Sequence, residues 1–301
     1  MAFLRNNTVN LLNLHYGMHT LAMAGGGVFF ASYLLHAGVP IAGVLCALAL
    51  ITGLRFAIRP MILSFGKRLG LKPLVIIGST LNAFQYIPLS YVHGMDYALL
   101  TMCVIGAIGD SFYWTAYHAY FAALGDEEHR GHQISAREAL SAVVGIVAPL
   151  IGGWSLTTFG PQVTFFSVAA IQLFAALPLL GTPNVPVPQM APGAFKAAFQ
   201  SIAMFAADGW IQACGGFTWE ILLFVTLGQS FTAFGGAVAF AALVGALCGL
   251  LLGKLIDGGH GKRAVWLAVG VATSLLMTFA FLIACGVVVA WVFRTGYRLK
   301  A

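Results

Sequence analysis

Gly66-Lys-Arg-Leu-Gly-Leu-Lys72 is a short basic turn that closes an apolar run beginning at Pro40. That run, residues 40–64, exceeds the roughly 20 apolar residues a helix needs to cross a bilayer. Its only charges, Arg55 and Arg59, lie towards its end. Short loops rich in Lys and Arg stay on the cytoplasmic side of a membrane, so a span followed by this turn carries orientation as well as location. Reading outward, the pattern recurs. Arg5 precedes the first apolar run, Arg130 and Arg137 follow the fourth, Lys196 the sixth, and Lys254, Lys262 and Arg263 the eighth. The intervening gaps, at His93 to Asp96, Thr157 to Gln162 and Gly228 to Thr232, hold no Lys or Arg. The alternation predicts an all-α, polytopic membrane bundle with a cytoplasmic N-terminus, in the cell membrane.

Composition agrees. Only 8% of the residues are charged, against about 25% in a soluble domain, too few to clothe a globule in water. The net charge of +6 is explained by the cytoplasmic loops, and the basic stretches are too short to track a phosphate backbone, which excludes nucleic acid as a partner. Cys46, Cys103, Cys214, Cys248 and Cys285 all fall inside apolar runs with no ligand spacing, so they read as packing residues. No metal and no cofactor is expected. The first run is too long for a signal-peptide core and is taken as a span.

Nine spans are predicted, at about 14–36, 40–64, 74–92, 97–124, 137–157, 163–181, 203–227, 232–255 and 264–291. Four prolines between Gly181 and Gly193 forbid a continuous helix and mark a linker. The predicted organisation is a six-helix bundle over 1–181, a cytoplasmic linker over 182–198 and a three-helix partial bundle over 199–301. The basic turn at 66–72 has an echo at the equivalent place of the second part, Gly253-Lys-Leu-Ile-Asp-Gly-Gly-His-Gly-Lys-Arg263. Parallel repeats of this kind occur in transporters whose halves rock about a central site.

These features resemble the major facilitator superfamily. The second turn matches its loop signature at Gly253, Leu255, Asp257, Gly261, Lys262 and Arg263. The first turn keeps Arg68, Gly70 and Lys72 but has Lys67 where the family carries an Asp. Gly145-Ile-Val-Ala-Pro-Leu-Ile-Gly-Gly153 is similar to a glycine–proline pattern associated with exporters, matching at Pro149, Gly152 and Gly153. The resemblance implies secondary transport of a small solute by alternating access, with the two turns as conformational elements. Family members usually have twelve spans, so nine imply a C-terminally truncated chain. Arg294, Arg298 and Lys300 would fall on the wrong side after nine spans, and the closing segment is expected not to be the native continuation.

Ionisable groups at bilayer depth are functional candidates because they cost free energy unless they face a cavity or a partner. Asp110 lies mid-way along the fourth span, with Trp114, Tyr117 and His118 at i+4, i+7 and i+8 on one helical face. Such a face could bind a cation, carry a proton or line a substrate path; alternatively Asp110 holds helices together and the rings simply pack. Glu220 in the seventh span is a second candidate, either inward-facing or a structural acid. Arg55 either pairs with Asp110, binds an anion, or snorkels to the headgroups. Asn82, Gln85 and Tyr86, and His15 and His19, fall at helical spacing, where they either line a pathway or join helices. Span eight carries small residues at every fourth position from Ala237 to Gly253, and span five a similar set, as surfaces for close packing.

The leading reading is a proton-coupled transporter acting as a monomer in the lipid bilayer, with Asp110 or Glu220 as the proton site. No phosphate-cradling Gly-Lys-Ser/Thr loop is present to supply energy from nucleotide. A non-transporting or sensing product is the alternative. A membrane enzyme is disfavoured, because Glu127-Glu-His-Arg-Gly-His132 has no catalytic or metal spacing and reads as a solvated loop.

Overall fold

The computed structural model describes residues 6–125, 130–187 and 217–255, with isolated positions between 193 and 209. The chain separates into two compact units, 1–243 and 244–301. All contacts given below lie within the first; the described part of the second, 244–255, is the end of a continuous helix. The regular structure of the described residues is all helix, with no strand, as an all-α membrane bundle requires. Helices satisfy their own backbone polar groups, the one open-chain solution available in hydrocarbon.

Helix α1 (Asn7–Gly25) passes through a single 3-10 turn at Gly27–Phe29 into α2 (Phe30–His36). It starts earlier than residue 14 because Asn6 caps it, its side chain accepting from Val9 N at 3.1 Å. The polar residues of its first half are covered by other helices, with His15 and His19 fully buried. Helix α3 (Ile41–Leu69) continues through Pro60 and past the expected end at 64. It stops at Gly70, whose φ of +83° needs a residue without a Cβ. The third expected span, 74–92, is two pieces, α4 (Leu71–Phe84) and α5 (Tyr86–Leu89), joined at Gln85.

Helix α6 (Tyr97–Leu124) is capped by Asp96, which accepts from Leu99 N and His93 N, each at 2.8 Å. Then come α7 (Arg130–Thr158), α8 (Gly160–Ala175), α9 (Leu177–Leu180), α10 (Thr218–Thr226) and α11 (Phe231–Leu255). Six of the described helical segments are long and apolar enough to cross a membrane: 7–36, 41–69, 97–124, 137–158, 160–180 and 231–251. The Lys72, Asn82 and Gln85 of α4 and α5 keep that pair out of the set. The ninth expected span and about half of the seventh lie outside the described residues.

Lipid-facing character is visible at single residues. Phe56 is 82% exposed, and Met61, Val143, Ile151 and Phe174 are more than half exposed. Inside, one apolar cluster gathers Phe29, Tyr33, Phe165, Phe224 and Phe234; another gathers Leu12, Ile62, Leu74, Tyr113, Tyr117 and Tyr120. Among the described helices, α4 and α6 share the most extensive contact. Gly153 of α7 sits against the Phe231 backbone, and Gly235 of α11 against that of Pro149. The span-five pattern is therefore used for close packing, while α11 meets α7 through Gly235 and Ala242, off the expected every-fourth stripe.

The two ends of the bundle differ as the charges do. At one end Leu71 N donates to Val185 O (2.8 Å), Lys72 Nζ donates to Leu180 O (2.9 Å) and Thr182 O (2.7 Å), and Asn184 Nδ2 donates to Leu69 O (2.8 Å). The basic turn and the start of the linker thus share a side. At the other end Gln162 reaches Ser90 O (3.4 Å) and the Thr157 and Thr232 hydroxyls meet at 3.0 Å, bringing together the gaps without Lys or Arg.

Candidate functional site

Close approach of α4 and α6 builds the site. A Cβ on Gly109 would collide with the Asn82 side chain, and one on Gly106 with the Gln85 amide. Glycine at both places lets α4 press its two amides onto α6. Asn82 Nδ2 then donates to Asp110 Oδ1 at 3.1 Å, and Gln85 Nε2 donates to Asn82 O at 3.1 Å. From the other flank, Arg55 on α3 places Nη1 3.3 Å from Asp110 Oδ2. Of the alternatives for Arg55, the structure takes the ion pair. Asp110 is thereby held between a cation and an amide, which offsets the cost of keeping a carboxylate at this depth.

The pair opens onto a cavity of about 480 Å³. Its wall comes from α1 and its 3-10 turn, the start of α2, α3, the α4–α5 junction, α6 and α10, and five expected residues meet there: Arg55, Gln85, Tyr86, Asp110 and Glu220. Glu220, in the first turn of α10, has no hydrogen-bond or ion-pair partner among the described residues. The remainder of the lining is mainly apolar, including Phe30, Ile51, Met102 and Phe217.

Trp114, Tyr117 and His118 do not line this cavity. Tyr117 lies on the Asp110 face, but seven residues along a helix is roughly 10 Å, and at that level the bundle is closed. There Tyr117 stacks on Tyr113 (5.3 Å between centroids) and Tyr16 (5.3 Å). Trp114 is half-buried against His19 (5.6 Å), and His118 is exposed, stacked on Trp114 (5.4 Å). Nearby, the Arg137 guanidinium lies over Tyr16 (4.8 Å) and Phe121 (5.0 Å) and pairs with Glu138 at 2.7 Å.

His15 and His19 belong to that closed region. His15 Nδ1 is 2.6 Å from Ala175 O and its Nε2 is 3.0 Å from the Tyr113 hydroxyl. A carbonyl only accepts, so Nδ1 carries a proton, and the neutral ring takes the tyrosine proton on Nε2. The carbonyl is available because the helix is interrupted at Ala176, ahead of Pro178, and Leu179 N bonds Ala176 O instead. Gln172 Nε2 lies 2.9 Å from His19 Nδ1 and 3.0 Å from Ser79 Oγ. These histidines join α1, α4, α6 and α8. Among the described residues no group of three potential metal ligands occurs.

Sequence reasoning missed Thr20, Met23 and Gly106 as cavity lining. Gly106 had a signal, one turn ahead of Asp110 on the same face; Thr20 and Met23 had none beyond the helical period of α1. Of the loop-motif residues, Arg68 and Gly70 are described, and Gly70 abuts Asn184, where a Cβ would clash. Asp257, Gly261, Lys262 and Arg263 lie outside the described residues, as do Glu127, Glu128 and His129; for Gly253 only the backbone is described.

The family model of the Major Facilitator Superfamily matches residues 12–296. The chain belongs to the Major Facilitator Superfamily. Two solved structures share its fold. One, a peptide transporter POT in complex with sulfate, superposes with a TM-score of 0.52 at 15% identity, covering 82% of this chain and 51% of that one. The other, a POT family transporter in complex with a thioalcohol-conjugated peptide, gives 0.51 at 11% identity, covering 84% and 54%. This Major Facilitator Superfamily chain thus spans about half the length of these solved relatives. No curated protein matches it. It is a multi-pass membrane protein in family and fold.

Proposed function

We propose that the protein is a secondary active transporter that moves a small solute by alternating access, with the Arg55–Asp110–Glu220 cavity as its central site. The observation that carries this reading is the cavity itself. It sets an ion pair, and a carboxyl with no partner among the described residues, on helices of both sequence halves, α3 and α6 from the first and α10 from the second. A charge buried at such cost is retained where something binds or moves. Proton coupling is assigned to Asp110 and Glu220: protonating Asp110 releases Arg55, and Glu220 exchanges its proton with the cavity. Residues 1–181 and 199–301 are read as two bundles joined by the linker 182–198. The charge alternation sets the N-terminus in the cytoplasm, in the cell membrane, and the chain works as a monomer.

The test is flux in proteoliposomes loaded with a pH-reporting dye and challenged with solutes of different classes. A transported solute is expected to move the internal pH, and Asp110→Asn and Glu220→Gln are each expected to abolish that movement. Unchanged flux and pH dependence in both variants would rule out coupling through these residues.

A further inference from the structure

The lining of the cavity has an imbalance that points to a chemical class of ligand. It contains one cation, Arg55, and two acids, Asp110 and Glu220. Arg55 and Asp110 already neutralise each other at 3.3 Å, which leaves the Glu220 carboxyl without a counter-charge among the described residues. Most of the neutral donors are engaged as well, leaving one Gln85 N–H, and the Thr20 hydroxyl is bonded to Tyr16. The Thr52 hydroxyl donates to Leu48 O (2.9 Å), Gln85 Nε2 to Asn82 O (3.1 Å), and the Tyr86 hydroxyl to Met23 Sδ (3.6 Å). What remains open is mainly acceptor capacity: the two carboxylate oxygens of Glu220, set among apolar and aromatic walls with Phe217 one turn away on the same segment.

An anionic solute would find the one cation of the described lining already paired with Asp110 and would still face Glu220. A sugar would find few donors for its hydroxyl oxygens. A protonated amine satisfies both deficits, since it brings a positive charge and N–H donors with no acceptor, and a hydrophobic body suits the walls. We propose that the cavity takes amphipathic organic monocations, an ammonium group seated on Glu220 and an apolar or aromatic body against Phe30, Ile51 and Met102. This rests on the cavity being the transport site. Specificity lies in Glu220, while Asp110 keeps Arg55 from inviting anions.

Three probes of one skeleton separate the possibilities: phenethylammonium, phenylacetate and the phenylalanine zwitterion, titrated calorimetrically into the purified full chain in detergent. Phenethylammonium is expected to bind at least ten-fold more tightly than either other probe. Glu220→Gln, close to isosteric, should cut that affinity ten-fold or more, and Glu220→Asp should retain most of it. Equal or tighter binding of phenylacetate or phenylalanine overturns the inference, as does an unchanged affinity in Glu220→Gln or no binding of any probe. Flux is read separately in proteoliposomes. Selective cation binding without flux refutes transport and leaves the ligand class standing; flux of an anion alone refutes the ligand class and leaves transport standing.

Discussion

At Asp110 two neighbours from different helices converge on one carboxylate, and the energetics of the site follow from that convergence. Removing one member of a buried pair leaves an uncompensated charge, whereas removing both often changes little. Arg55→Met is therefore expected to destabilise the folded protein by roughly 1–3 kcal/mol, less than for a fully dry pair because both side chains keep some exposure. Adding Asp110→Asn to Arg55→Met should recover most of that loss, which a thermal-melting double-mutant cycle in detergent would measure. His15 offers a contrasting case. His15→Phe fills the volume but strands the Ala175 carbonyl and the Tyr113 hydroxyl, at a cost of about 1–3 kcal/mol by the same measurement. Depth alone marked Arg55 and Asp110 as candidates but left Arg55 free to pair, bind an anion or snorkel; only the approach of α3 to α6 selects the pair. The separate fates of Asp110 and Tyr117 were not legible, because a helical period gives the face of a helix and not the level at which neighbours close over it.

Among the elements, α6 depends on its cap. Burial by itself would raise the Asp96 carboxyl, but hydrogen bonds from the Leu99 and His93 N–H groups outweigh it and hold the group below the ordinary carboxylate range. A depressed carboxylate contributes stability that is present above its unfolded pKa of about 4 and is lost as pH falls through the lower folded value. Asp96→Ala should cost about 1 kcal/mol at neutral pH, while Asp96→Asn should keep much of the cap and flatten this acid limb of the stability profile. Helix ends were the least legible part of the fold for the same kind of reason. The start of α1 at Asn7 is set by one side-chain cap and by tertiary cover over His15 and His19, neither of which hydropathy registers. The break at Gln85, by contrast, has a local cause in Pro88, which cannot bond the Phe84 carbonyl, and the amide at the break is the one pressed onto Gly106.

For the molecule as a whole, the alternation of charged and uncharged gaps became a physical separation of two ends. In a background without native cysteines, Lys67→Cys and Met95→Cys should react with a membrane-impermeant maleimide from opposite sides. In intact cells Met95→Cys is expected to label and Lys67→Cys to be protected until the cells are opened. Labelling of both from one side would contradict the topology. The docked start of the linker also sets a mechanical length. Residues 182–185 are bonded to the basic turn through Lys72, Asn184 and Leu71, so about 14 Å of extended contour is withdrawn from the tether. Whatever follows residue 187 is leashed from the tip of the 66–72 turn rather than from the end of α9. The turn thus works as an anchorage: its glycine makes room for Asn184, and its lysine grips the strap.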